Sequence, residues 1–301
     1  TLGVLVAIAI LFPLSVHAEE GGSGHYAPGG AASFIDTLPG RPGLAIANFF
    51  NSYDGDASAS KQLPFGGLIT AGIDATAYSD TIVALYETPL KLLGGYYGAD
   101  IILPFAYQDL DVSIFRESRL GFADIFVEPI TLSWHLQQLD FSFGYGFWAP
   151  TVDFSITDLV SPGKGFWTHM LTGGITIYPD KEKTWSISAL NRYEFNGRIK
   201  DAGITPGQFW TLEWGLAKTM RKTMDLGLAG YFQAQATAAD FGGSAPLSGE
   251  KEHAAAIGPE ITFPIPKLGF SASIRYMKEV GASLRPEGNT FNITLTRRLG
   301  P

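Results

Sequence analysis

The chain has 301 residues, a formal net charge of −8 and no cysteine. Charged residues make up only 17% of it, against about 25% in an ordinary soluble domain, while aromatics reach 13% and glycine contributes 36 residues. This balance excludes disulfides, thiolate metal sites and cysteine nucleophiles. It argues against a nucleic-acid partner, which selects a basic patch, and it suits a β-rich membrane protein better than a cytosolic enzyme.

Leu2 to Phe12 is an unbroken apolar stretch closed by Pro13. It is too short for a spanning helix, which needs about 20 residues. Small residues at Val16 and Ala18 suit a signal peptidase, so residues 1–18 read as a signal peptide that lacks its first few residues. A buried core helix is the alternative. No later stretch is apolar and long enough for a membrane helix, and an exported chain of this kind points to the bacterial outer membrane. Residues 19–40 form a glycine- and alanine-rich extension with no strand pattern before Arg41. The extension is either a free tail or a plug in a barrel mouth, with His25, Tyr26 and Pro28 as the plug candidates.

From 41 to 301 the sequence reads as strands. Trp210, Leu212, Trp214 and Leu216 alternate with Phe209, Thr211, Glu213 and Gly215. Leu226 and Leu228 alternate with Asp225 and Gly227, and Phe270, Ala272 and Ile274 with Ser271, Ser273 and Arg275. Period two is the strand signature. Twelve segments follow, near 43–54, 67–91, 96–108, 120–135, 140–150, 166–178, 184–196, 207–219, 224–236, 252–263, 268–280 and 289–299. The second is the longest, and Ile73 to Asp80 within it could hide a turn.

The connections alternate in character. Those at 55–66, 109–119, 151–165, 197–206, 237–251 and 281–288 are long and polar or glycine-rich; those at 92–95, 136–139, 179–183, 220–223 and 264–267 are tight. Outer-membrane barrels sort their loops in this way, with short periplasmic turns and long external loops. In lipid every backbone polar group needs an internal partner, so a membrane-spanning sheet has to close. The expected fold is therefore an all-β, antiparallel transmembrane barrel of about twelve strands, its N-terminal segment a candidate plug. An even strand number places both termini in the periplasm.

Tyr96, Tyr97, Trp134, Trp148, Trp167, Tyr178, Trp185, Tyr193, Trp210 and Trp214 cluster at strand ends, as interface belts do. Parity puts Arg192, Glu194, Glu213, Asp225, Gln233, Gln235, Arg275 and Glu279 on the inner face. A Lys or Arg facing lipid at mid-bilayer would cost about 2–4 kcal/mol, and an acid somewhat less. These eight are the lumen-lining candidates, either sorting solutes or bracing the wall as ion pairs.

Several short motifs, in order, resemble one bacterial outer-membrane family. They begin with Glu20-Gly21-Gly22-Ser23-Gly24-His25-Tyr26-Ala27-Pro28-Gly29 and Leu38-Pro39-Gly40-Arg41-Pro42-Gly43-Leu44. They continue with Gly98 to Pro104, Gly121-Phe122-Ala123-Asp124 through Pro129 and Trp134, and Ala149-Pro150-Thr151, where Val152 replaces a usual glycine. Gly163-Lys164-Gly165-Phe166-Trp167, Tyr193-Glu194-Phe195-Asn196-Gly197 and Ala256-Ile257-Gly258-Pro259-Glu260 complete the set. The chain is similar to proteins of the meta-pathway of phenol degradation family, which resemble transporters of aromatic compounds. No single motif is specific; their order and spacing carry the resemblance. It implies passive uptake of small hydrophobic or aromatic compounds, with outer-membrane lipids and the outer-membrane insertion machinery as partners. One departure concerns the end of the chain, Arg297-Arg298-Leu299-Gly300-Pro301, which lacks the usual terminal aromatic.

Catalysis and cofactors find little support. His25, His135, His169 and His253 show no metal-ligand spacing such as H-E-x-x-H. His169 faces outward by parity, without a serine partner of recognisable context. Asp54, Asp56, Asp109, Asp111, Asp158 and Asp240 gather near the long connections but form no calcium loop, and read as a solvated acidic surface. The expectation is a non-enzymatic channel without a cofactor. The alternatives are a structural or adhesive barrel and, more remotely, a barrel enzyme acting on lipids.

Overall fold

The computed structural model describes residues 24–30, 42–57, 73–112, 115–155, 158, 160–200, 202–221, 223–242 and 251–299. Residues 1–18, expected to be a signal peptide, and residues 19–23 and 31–40 of the extension lie outside the described residues.

Among the described residues, thirteen strands form one antiparallel sheet. They are β1 (Gly43–Ala57), β2 (Ile73–Leu92), β3 (Gly95–Val112), β4 (Phe115–Phe122), β5 (Ile125–His135), β6 (Leu139–Ala149) and β7 (Thr168–Ile177). Then come β8 (Trp185–Asn196), β9 (Phe209–Met220), β10 (Met224–Gln235), β11 (His253–Ile265), β12 (Phe270–Ser283) and β13 (Glu287–Leu299). Chain neighbours pair throughout except β4 and β5, which both lie beside β3, and β1 pairs with β13, from Leu44 opposite Leu299 to Asp56 opposite Glu287. The sheet therefore closes on itself. β13, which runs to Leu299, completes the wall beside β1.

The wall has twelve staves rather than thirteen. β4 and β5 both run antiparallel to β3, β4 beside Phe105–Val112 and β5 beside Tyr96–Ile102. They are one stave interrupted at Ala123 and Asp124. Here the expected loop over 109–119 is corrected. Gln108 pairs with Arg119 and Leu110 with Glu117, so most of that stretch continues as a paired arm above the wall. Its polar composition resembles a loop, but cross-strand pairs such as Asp109 with Arg116, 3.1 Å apart, support a ladder. The run Ile73–Asp80 is continuous strand, without a turn.

Tight turns join the staves at one end. Between β2 and β3, Leu93 and Gly94 both have positive φ, 52° and 82°, the signature of a two-residue type I′ hairpin turn. Asp180 organises the turn before β8, accepting bonds from the Trp185 N–H at 2.8 Å and the Thr184 hydroxyl at 2.7 Å. The long connections meet at the other end, termed the long-loop end below.

The two faces of the wall differ as the alternation requires. On β9, Thr211 and Glu213 are buried inward while Leu216 is 40% exposed outward. Ile82, Ile187, Leu226 and Leu228 are likewise exposed. Such a band would be costly in water at roughly 25 cal/mol per Å² and is natural in lipid. One aromatic assignment is corrected: Trp148 is 7% exposed and points inward, away from any lipid boundary. Parity shifts once on β5. Val127 and Ile130, three residues apart, face Phe147 and Tyr145, two apart. The bulge holds Pro129, which has no N–H to give a ladder. Glu128 before it and Thr131, Ser133 and His135 after it consequently all turn inward.

Candidate functional site

The barrel encloses a cavity of about 1280 Å³, and the described part of the extension, Gly24 to Gly30, lies inside it. Polar atoms of His25, Tyr26, Gly29 and Gly30 bond to the wall. The backbone N–H groups of His25 and Tyr26 both donate to Glu194 Oε1, at 2.7 and 3.0 Å. The Tyr26 hydroxyl donates to Glu213 at 2.6 Å, and the Gly29 N–H to the other oxygen of Glu213 at 2.9 Å. Gln233 donates to the Tyr26 carbonyl at 3.0 Å and Arg275 to the Gly30 carbonyl at 3.1 Å. The Arg192 guanidinium lies 4.1 Å from the Tyr26 ring centroid and 2.6 Å from Glu213. A chain without secondary structure can be buried only if its backbone groups are paired, and side chains of β8, β9, β10 and β12 supply the partners.

His25 sits deepest toward the long-loop end. Its ring stacks on Trp148 with centroids 5.5 Å apart, and Phe166 meets it edge-on at 4.7 Å. The ring nitrogens lie 2.8 Å from Thr168 Oγ1 and 3.2 Å from Asp124 Oδ2. Burial pushes the imidazole below its ordinary 6.5, against the upward pull of Asp124. Burial likewise raises the Tyr26 phenol well above 10, so that it stays protonated and serves as a donor. Gly24 and Gly29 pack where a side chain would collide. A Cβ on Gly24 would fall 2.5 Å from Glu194, and Gly29 also has φ +86°, which glycine adopts without strain.

The other sequence-derived candidates fall as follows. Arg192, Glu194, Glu213, Gln233, Arg275 and Glu279 all point inward, and Asp225 lines the cavity nearer the tight-turn end. Gln235 is buried at the long-loop end, accepting from the Glu252 N–H at 3.2 Å. Arg275 lies 3.6 Å from Glu260, and Arg285 lies 3.5 Å from Glu252 and 3.6 Å from Glu279. Glu279 also accepts from Tyr231 at 2.6 Å and from the Gly288 N–H at 2.7 Å. Pro28 lines the cavity. His169 is on the outer surface, 2.8 Å from the Tyr145 hydroxyl.

His135 stands 3.1 Å from Ser133 Oγ and 3.4 Å from Asp140, in a serine–histidine–aspartate order. Ser133 is only 1% exposed and donates to Glu87, so the hydroxyl is a strut without room for a substrate. Among the described residues no group of acidic or histidine side chains could hold a metal ion.

Asp124, Trp148, Phe166, Thr168, Glu128, Glu260 and Arg285 were not among the expected site residues. The signal was present in the motif fragments: those containing His25, Asp124, Thr151, Lys164, Phe166 and Glu194 converge on one place. The opposite wall has another character. Ala45, Ala47, Ala77, Val83, Leu85 and Ile102, from β1 to β3, line the cavity with small apolar side chains, among which stand Asn51, Ser79, Thr81, Asp100 and Gln108.

The family described as MetA-pathway of phenol degradation matches residues 54–295, and the chain belongs to it. The structure resembles an outer-membrane channel from Pseudomonas putida F1, with a TM-score of 0.74 and 11% identity over 89% of this chain and 100% of that one. It also resembles the β-domain of the Bordetella autotransporter BrkA, with a TM-score of 0.50 and 12% identity over 86% and 100% of the two chains. At such identities the likeness is one of fold, that of an outer-membrane β-barrel. No curated protein sequence matches the chain.

Proposed function

We propose that this member of the phenol-degradation family is a passive outer-membrane channel for small, uncharged hydrophobic or aromatic compounds, narrowed by residues 24–30. The observation that carries the reading is the asymmetry of the cavity. One wall is polar and already paired, with arginines beside glutamates and the segment's donors on Glu194 and Glu213. The facing wall is richer in alanine, valine, leucine and isoleucine, mixed with the neutral Asn51, Ser79, Thr81 and Gln108 and the acid Asp100. A charged solute entering between them would exchange its water for methyl groups, whereas an apolar ring loses little and gains contact.

Of the inner polar residues, Glu194, Glu213, Gln233 and Arg275 hold the segment, and they need not bind the solute. The closed wall of outward apolar residues makes outer-membrane lipid the surrounding partner, and the long connections face outward from the cell. Insertion by the outer-membrane assembly machinery belongs to the same reading.

Liposomes containing the purified chain provide the test. Benzyl alcohol should equilibrate across them faster than across protein-free liposomes, whereas arabinose and glutamate should enter at nearly the protein-free rate. Equal acceleration of arabinose and benzyl alcohol would overturn the reading.

A further inference from the structure

Asp124 lies in the two-residue break between β4 and β5 and is 1% exposed. Its carboxylate draws donors from two separate parts of the chain. Oδ1 accepts the N–H of Thr151 at 2.9 Å and of Val152 at 3.2 Å. Oδ2 accepts the N–H of Lys164 at 2.7 Å and faces His25 Nε2 at 3.2 Å. The first three donors belong to the connection between β6 and β7, at the long-loop end, and the fourth belongs to the inner segment. The same connection contributes Phe166, one face of the seat in which the His25 ring lies. A buried carboxylate is tolerable only while its lone pairs are occupied. Separation of the two arms of the connection, at Val152 and Lys164, therefore strips Asp124 of donors and unseats His25 in one movement.

We propose that Asp124 is a positioning residue that couples the β6–β7 connection to the inner segment. With both arms drawn onto its carboxylate, His25 is held and the lumen is narrow. With the arms apart, Asp124 is left short of donors in an opened pocket and His25 loses the Phe166 face of its seat, so the docked state of the segment is weakened. The coupling rests on the reading of residues 24–30 as a constriction.

The absence of cysteine makes a reversible staple available. A Cβ on Gly163 would stand 3.0 Å from Val152 Cβ, close to the roughly 3.5–4.5 Å of a disulfide. The Val152→Cys/Gly163→Cys double variant, oxidised in planar bilayers, should open at least tenfold less often than after dithiothreitol. Asp124→Ala should open more often than wild type, and the oxidised staple should not suppress that opening in the triple variant. If the alanine variant does not fold, the isosteric Asp124→Asn replaces it. Its amide presents a donor where Lys164 N–H needs an acceptor, and it too should open more often; opening equal to wild type overturns the coupling. Identical opening of oxidised and reduced staple, with the cross-link verified by mass spectrometry, also overturns it. Deletion of residues 24–30 separates the two readings. If the deletion raises conductance while the staple has no effect, the coupling alone fails. If the deletion changes nothing, the constriction itself fails and the coupling with it.

Discussion

Truncating Glu194 to alanine removes the acceptor of two backbone donors at once. One of its oxygens takes the N–H groups of both His25 and Tyr26, at 2.7 and 3.0 Å, in a place where Glu194 is 1% exposed. Hydrogen bonds to a charged group contribute about 1.5–3 kcal/mol each. The lower end applies, because lumen water can take over part of the loss once the side chain is gone. The sum is about 3 kcal/mol, which at 1.4 kcal/mol per decade shifts the docked-to-released ratio of the segment by roughly a hundredfold. Single-channel recording should show this as a steep rise in open probability, while the unheated protein still migrates as a compact barrel on a gel. Glu194→Gln keeps one carbonyl oxygen and should produce a smaller rise. The decisive control places Glu194→Ala in a chain lacking residues 24–30, where it should add nothing. An undiminished effect there would mean that Glu194 acts on the wall and not through the segment.

Acidification should loosen the segment. The docked His25 titrates below its ordinary 6.5, so its contribution to docking is complete above that pH and fades as pH falls below it. The charged groups around it are Asp124 from the β4–β5 break, Lys164 from the β6–β7 connection and Glu194 from β8. Open probability should therefore rise between pH 7.5 and 5, and greater closure in acid would show that Asp124 outweighs burial. In membranes, a water-soluble maleimide should modify Glu213→Cys and Asp225→Cys well before Leu212→Cys and Leu226→Cys; the opposite order would require a one-residue slip of register. Gly146→Val should abolish the heat-modifiable band, because a side chain there collides with the buried ring of Phe126, and a normal band would refute that packing.

The wall was legible because its signal is local. Period two in β9, β10 and β12 follows from one buried face, and the tight turns at 92–95 and 220–223 announce themselves by glycine, charge and brevity. Where reading failed, the cause was non-local. The bulge at Pro129 lets Glu128 and Ser133, of opposite parity, both face the lumen, and only pairing with β3 and β6 reveals the shift. Trp148 shares its parity with Ser142, Gly144 and Gly146, so its inward direction was readable, but tryptophan at a strand end also suits a lipid boundary. What decided the matter was His25, distant by more than a hundred residues. The arm over 109–119 looked like a loop because its side chains are polar, and a β-ladder above the membrane needs no apolar face. Asp124 shows in the sequence only as part of a motif fragment, with nothing to mark its role. That role comes from three backbone N–H groups that the fold brings to its carboxylate.

The division of the cavity into a paired polar wall and an apolar wall bears on how fast a solute can leave, not only on whether it can enter. Passage requires binding weak enough to be undone. A lining of alanines such as Ala45, Ala47 and Ala77 offers about one methyl group per residue, and burial yields only about 0.8 kcal/mol per such group. Larger side chains there would hold an aromatic ring more firmly and fill the space it needs. The polar wall works in the same direction. Because Arg192, Arg275 and Arg285 each lie beside a glutamate, a hydroxyl on a passing ring meets an arginine already engaged and makes only a weak bond. On the proposed reading, both walls touch a neutral solute without trapping it, and the strong interactions of the lumen hold the segment that would narrow it.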